Sequence, residues 1–205
     1  MEEAFIVDAV RTPVGKRGGS LSGMHSADLG GHALKGLINK TAINPSIVED
    51  VIFGCVDTIG SQAGDIARTS WLVAGLPEEV PGTTIDRQCG SSQQALHFAA
   101  QAVMSGTNDM VIAGGVQNMS QIPISAAMLA GQQYGFDDPF NDSQGWNKRY
   151  GSREVSQFKS AQMIAENWEI SREEMEKFAL EDRDDTLNDY QASKFHEDLS
   201  ECLSR

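Results

Sequence analysis

The chain has 205 residues, 40% apolar and 22% charged, the make-up of a folded globular protein rather than a disordered one. Its formal charge of -13 repels polyanions, so nucleic acid is not an expected partner. The N-terminus M-E-E-A-F-I-V is acidic where a secretory leader would be basic, and its longest apolar runs are only a few residues, so neither secretion nor a membrane is expected and the location is taken as cytoplasmic.

In chain order, residues 4–10 (A-F-I-V-D-A-V) form an apolar run closed by T-P-V-G and read as a buried strand. Ser26 or Asp28 is placed to cap a helix running to about Lys40, with Ala33, Leu34, Leu37 and Ile38 on one side. Strand signals follow at 50–57, 83–86 and 110–115, separated by helix signals at 64–74 and behind Cys89. This alternation predicts an α/β protein whose parallel or mixed sheet is covered by helices.

Beyond Ser120 the texture changes. Residues 131–152, rich in Gly, Asn, Asp and aromatics, read as a long ordered loop. Two helices are expected after it, at about 153–167 and 171–192. The second opens with a capping box between Ser171 and Glu174, and Met175, Phe178, Ala179, Leu187 and Tyr190 share a face. The last 40 residues hold 13 acidic and five basic side chains and read as a solvated acidic face. Two domains are expected, an α/β domain over 1–121 and a loop domain with two helices over 122–205.

The three cysteines, at 55, 89 and 202, have no metal-ligand spacing and form no even disulfide set. Cys89 stands out, because R-Q-C-G-S-S-Q-Q places it between a strand end and the first turn of a helix. Unpaired backbone N–H groups and the positive end of the helix dipole there favour thiolate over thiol. The alternative is a small buried apolar residue at a helix start, and position alone does not separate the two. Cys55, in an apolar strand, and Cys202, in E-C-L-S-R, read as non-catalytic. Of the four histidines, His25, His32, His97 and His196, only His97 is near Cys89; it lies two turns along the same helix and reads as a packed or capped core residue. Gly114 and Gly115 end a strand without a dinucleotide-binding pattern.

The stretch D-R-Q-C-G-S-S-Q-Q-A-L-H-F-A-A at 86–100, followed by V-I-A-G-G-V-Q-N-M-S at 111–120, resembles the thiolases, acyl-CoA acyltransferases that make and cleave 3-ketoacyl-CoA. F-I-V-D-A-V-R-T-P-V-G-K at 5–16 and I-S-R-E-E-M-E-K-F-A-L at 170–180 support it, in order over about 195 residues. The paired glutamines and Q-N-M-S are more similar to degradative bacterial thiolases of fatty-acid and steroid side-chain breakdown than to short-chain biosynthetic ones.

The resemblance implies a layered thiolase-like fold of which this chain is one half, with an incomplete loop region. It implies that Cys89 holds the acyl group as a thioester, with acyl-CoA and CoA as substrates, no bound cofactor and no metal, in a homodimer or homotetramer. It also implies catalytic partners in Gly-His-Pro, Asn-Glu-Ala-Phe and Cys-x-Gly settings, none of which occurs here, so the isolated chain is expected to be inactive. Where many thiolases carry His-Met-Gly, this chain has Ser156, Gln157 and Phe158 as candidate substrate contacts. Lys148, Arg149 and Lys159 read as surface cations more than as CoA phosphate ligands. Two further readings stay open: a non-catalytic, self-associating or partner-dependent half, and a ketoacyl-synthase-type condensing enzyme.

Overall fold

The computed structural model describes residues 3–192 and the side chains up to Arg183; His196 and Cys202, and the side chains of Leu187 and Tyr190, lie outside that range. The chain forms two compact units, residues 1–138 and 139–205.

The first unit is organised by three parallel strands in the order β2-β1-β3: β1 (Asp50–Gly54), β2 (Gly82–Ile85) and β3 (Val111–Gly115). Parallel pairing requires a crossover between successive strands, and helices supply both. Helix α2 (Ile66–Val73) joins β1 to β2, and α3 (Ser91–Met104) joins β2 to β3. The chain steps outward from β1 and then back across it. Crossovers of one hand must then lie on opposite faces, and they do.

On one face α2 and the preceding helix α1 (Ser26–Thr41) bury Leu34, Ile66 and Trp71 against Val51 and Phe53. On the other, Ala95 and Ala99 of α3 cover Ile52, with Ile85, Val111 and Ala113 around them. Leu96, Phe98 and Met104 of the same helix are exposed.

Three sequence expectations change here. Residues 4–10 are not a strand: an apolar run needs a free sheet edge to become one, and no strand pairs with it among the described residues, which leaves Phe5 78% exposed. Helix α1 is capped by neither Ser26 nor Asp28. His25 does it, its Nδ1 accepting the Ala27 N–H at 3.2 Å, while Ser26 turns inward and is fully buried. Finally, the helix expected from residue 64 begins at Ile66, because Asp65 takes a left-handed conformation and its carboxylate accepts the Arg68 N–H. A short helix, α4 (Ala126–Leu129), completes the unit.

The second unit holds α5 (Gln144–Tyr150), α6 (Gln157–Asn167) and α7 (Arg172–Ala192). Thus part of the stretch expected as loop is helical. Ser143 caps α5 by accepting the Trp146 N–H, and Trp146 stacks between Phe140 at 4.6 Å and Tyr150 at 4.7 Å. The Ser171–Glu174 capping box forms as read: the serine hydroxyl accepts the Glu174 N–H at 3.2 Å, and the carboxylate accepts the Ser171 N–H at 2.8 Å. The Ser171 N–H, followed by the Ser171 hydroxyl donating to the same carboxylate oxygen at 2.8 Å, holds the Glu174 carboxyl below its usual range. Of the apolar face expected on α7, Met175 and Phe178 are exposed.

Candidate active site

In a parallel sheet all the loops that follow the strands emerge at one edge. Loops leaving neighbouring strands for opposite faces open a crevice there, which is where ligands bind in open α/β sheets. Here β1 leads to α2 on one face and β2 to α3 on the other, so that rule assigns the ligand side to the loops leaving β1 and β2. Cys89 lies in the loop leaving β2.

The Cys89 turn is built from its own neighbours. Cys89 is exposed and precedes Gly90, the N-cap of α3. The backbone closes two successive turns, with Gly90 N–H donating to Arg87 O at 3.1 Å and Ser91 N–H to Gln88 O at 3.0 Å. Gln88, directly before the cysteine, has φ +50°, a left-handed conformation a glutamine adopts at a cost of about 1 kcal/mol. Two side chains hold it there. Asp86 Oδ1 accepts the Gln88 N–H at 2.7 Å, and the Ser91 hydroxyl donates to Gln88 O at 2.5 Å while accepting the Arg87 N–H at 2.9 Å.

The start of α3 rests directly on the sheet. A Cβ added to Gly54 would lie 2.2 Å from Ser92 N, and one added to Gly115 would lie 2.0 Å from Ser92 Oγ. Glycine at 54 is what allows the helix backbone this close to β1, and glycine at 115 leaves room for the Ser92 side chain over β3.

Around the loops leaving β1 and β3 runs a buried polar network. Gln62, fully buried, donates to Val56 O and Asp57 O through Nε2, and its Oε1 accepts the Asn118 N–H at 2.8 Å. Asn118 Nδ2 donates to Met24 O, also at 2.8 Å. The Asp57 carboxylate accepts the N–H groups of Ser125 and Ala127 at 2.9 and 2.8 Å, pinning the start of α4. Gln117 Oε1 accepts the Val56 N–H at 3.1 Å and lies 3.6 Å from Cys55 Sγ. Cys55 is 2% exposed; burial, followed by the Asp57 and Asp86 charges, pushes its thiol up to about 11.

The other expected residues fall elsewhere. His97 is exposed rather than packed in the core, since Ala95 and Ala99 occupy the sheet-facing side of α3. Ser156, Gln157 and Phe158 lie together at the start of α6 in the second unit; Ser156 caps that helix and Phe158 is 89% exposed. Arg149 sits 5.2 Å over the Tyr150 ring, and with Lys148 it occupies the last turn of α5, where cations suit the helix dipole. Among the described residues no cluster of three or more His, Cys, Asp or Glu is placed to hold a metal ion, and no helix is long and apolar enough to cross a membrane.

From the sequence, Gly90 and the serines Ser91 and Ser92 read as allowing a tight turn at Cys89, without the hydrogen bonds Ser91 makes. Sequence reasoning passed over Gln62 and Asp57, which carried no local signal because their partners lie up to 70 residues away.

Residues 4–200 match the family model for the thiolase N-terminal domain. The chain belongs to the thiolase family. This thiolase chain is 58% identical over 199 residues to steroid 3-ketoacyl-CoA thiolase FadA6 of Mycobacterium tuberculosis, a match covering 97% of this chain and 49% of the relative. It is 38% identical over 188 residues to a beta-ketoadipyl-CoA thiolase of Escherichia coli, covering 88% and 46%. A 3-ketoacyl-CoA thiolase of Pseudoalteromonas translucida is 41% identical over 127 residues, 61% of this chain and 33% of the relative. The thiolase chain thus spans about half the length of the first two of these relatives.

Proposed function

We propose that this chain supplies the acyl-accepting cysteine of a degradative thiolase, with 3-ketoacyl-CoA and CoA as substrates. The supporting observation is the placement of Cys89, exposed in the loop leaving β2 and directly before the N-cap of α3. In the proposed reaction the Cys89 thiolate attacks the 3-keto carbon. The bond between carbons 2 and 3 breaks, its electron pair stays on the leaving acetyl-CoA carbon, and that carbon takes up a proton. The acyl group remains on Cys89 as a thioester. A CoA thiol then gives up its proton, its sulfur attacks the thioester carbonyl, and the Cys89 thiolate is released. Covalent storage of the acyl group divides one difficult step into two easier ones.

The similarity to a steroid 3-ketoacyl-CoA thiolase favours a bulky acyl chain over acetoacetyl-CoA. The division into an α/β domain over 1–121 that carries Cys89 and a loop region over 122–205 that carries Ser156, Gln157 and Phe158 belongs to the same proposal. So does pairing of two copies through the outer edge of β2.

Proton transfer in this reaction requires an acid and a base beside the sulfur. By family resemblance those groups lie in motifs this chain does not contain, so the 205-residue chain alone should show no thiolysis turnover, whereas acetyl transfer from acetyl-CoA to Cys89 breaks no carbon–carbon bond and can be read separately. Incubation with acetyl-CoA followed by peptide mass spectrometry tests the reading. An acetyl group on Cys89, absent from Cys89→Ala, is the expected result. No adduct, or one confined to Cys55, refutes it.

A further inference from the structure

We infer that Ser91 is the positioning residue for Cys89, an inference that rests on the reading of Cys89 as nucleophile. Ser91 is 4% exposed, two residues beyond the cysteine. Its backbone is fixed from below, since a Cβ on Gly54 would lie 2.3 Å from Ser91 C. Its hydroxyl is fixed from above, accepting the Arg87 N–H at 2.9 Å and donating to Gln88 O at 2.5 Å. One oxygen therefore ties the entry and the crest of the Cys89 turn to a point on the central strand.

The tie is needed because the turn is not at rest. Gln88 at φ +50° lacks the glycine or asparagine that tolerates this region. Asp86 restrains its N–H, and Ser91 alone among the side chains bonded to it restrains its carbonyl. Without the hydroxyl, the Arg87 N–H loses its acceptor and Gln88 O loses one of its two donors. Gln88 then relaxes toward negative φ and carries the cysteine with it. The role inferred for Ser91 is to set the direction in which the sulfur is presented.

Direction matters to a reagent that must dock and not to one that collides from any side. The test therefore compares acetyl transfer from acetyl-CoA with alkylation by iodoacetamide, both read at the Cys89 peptide, in wild type, Ser91→Ala and Ser91→Thr. A misplacement near 1 Å lowers an oriented reaction by up to about 100-fold. The expected result is acetyl transfer reduced at least about tenfold in Ser91→Ala, alkylation unchanged within about twofold, and recovery of acetyl transfer in Ser91→Thr, which keeps the hydroxyl. Should Ser91→Ala fail to fold, Ser91→Val against Ser91→Thr makes the same comparison at constant shape. Equal acetyl transfer with and without the hydroxyl overturns the inference, as does an equal loss toward both reagents. Wild-type protein that forms no adduct on Cys89 removes the nucleophile reading, and this inference with it.

Discussion

Gly54→Ala tests the contact on which the site is built. The added methyl would meet Ser92 N at 2.2 Å, Ser91 C at 2.3 Å and Ser92 Cα at 2.7 Å, all of them backbone atoms that no rotamer change can move aside. An unstrained contact needs about 3.5 Å, so the first turn of α3 must lift by roughly 1.3 Å. Overpacking of this kind costs about 1–3 kcal/mol, and the rigidity of the neighbours places Gly54→Ala at the upper end. At about 2–4 °C per kcal/mol for a chain of this size, the melting midpoint should fall by roughly 6–12 °C. Cys89 moves with the helix start, so acetyl transfer from acetyl-CoA should fall by about tenfold or more even well below the melting temperature. Gly36→Ala is the control. Gly36 lies within α1 with nothing within 4 Å of the added Cβ, and alanine there should raise stability by about 0.5–1 kcal/mol. A Gly54→Ala protein that melts and acetylates like wild type would refute the reasoning that close backbone approach fixes the Cys89 turn.

Gln62→Ala should cost about 3 kcal/mol by thermal or urea unfolding, because it strips fully buried partners from Val56 O, Asp57 O and the Asn118 N–H. The Cys55 thiol, raised in the folded chain from 9.0 to about 11, contributes stability that is complete below pH 9 and is lost as pH rises to 11, where the unfolded chain ionises first. Measured against Cys55→Ala, wild type should therefore lose up to about 1.4 kcal/mol per pH unit across that window. The outer edge of β2 is unpaired among the described residues, and sedimentation at micromolar concentration should show a dimer or larger species that Ile85→Pro disrupts.

Where an element's signal is carried by its own residues, the sequence showed it. The strands at 50–54, 82–85 and 111–115 and the three helices around them follow from short apolar runs and periodicity. The Ser171–Glu174 box was legible for the same reason, as was Cys89 at a helix start. The apolar run at 4–10 has the composition of a strand, but composition does not say whether an edge is available. Helix α5 was hidden by glycine and asparagine, and its support is a local ring stack rather than an apolar stripe. His97 was misplaced because two alanines, not the larger residues around it, mark the buried side of α3. Nothing in a glutamine announces positive φ, so the conformation of Gln88 follows only from the bonds Asp86 and Ser91 make to it.

The strand order has a consequence for the growing chain. β1 is central, yet its partner β2 follows about 30 residues later and β3 about 60, with no hairpin anywhere in the described sheet. At roughly 5–20 residues per second, synthesis leaves the β3-facing edge of β1 without its partner for about 3–12 s. Through that interval Val51, Ile52 and Phe53 form a sticky, strand-forming segment, and α3 cannot yet shield its second face. The layer made by α1 and α2 can assemble first, because its residues emerge before β3 and cover Val51 and Phe53. The vulnerable interval then closes only when residues 111–115 arrive, which makes β3 the latch of the nascent domain.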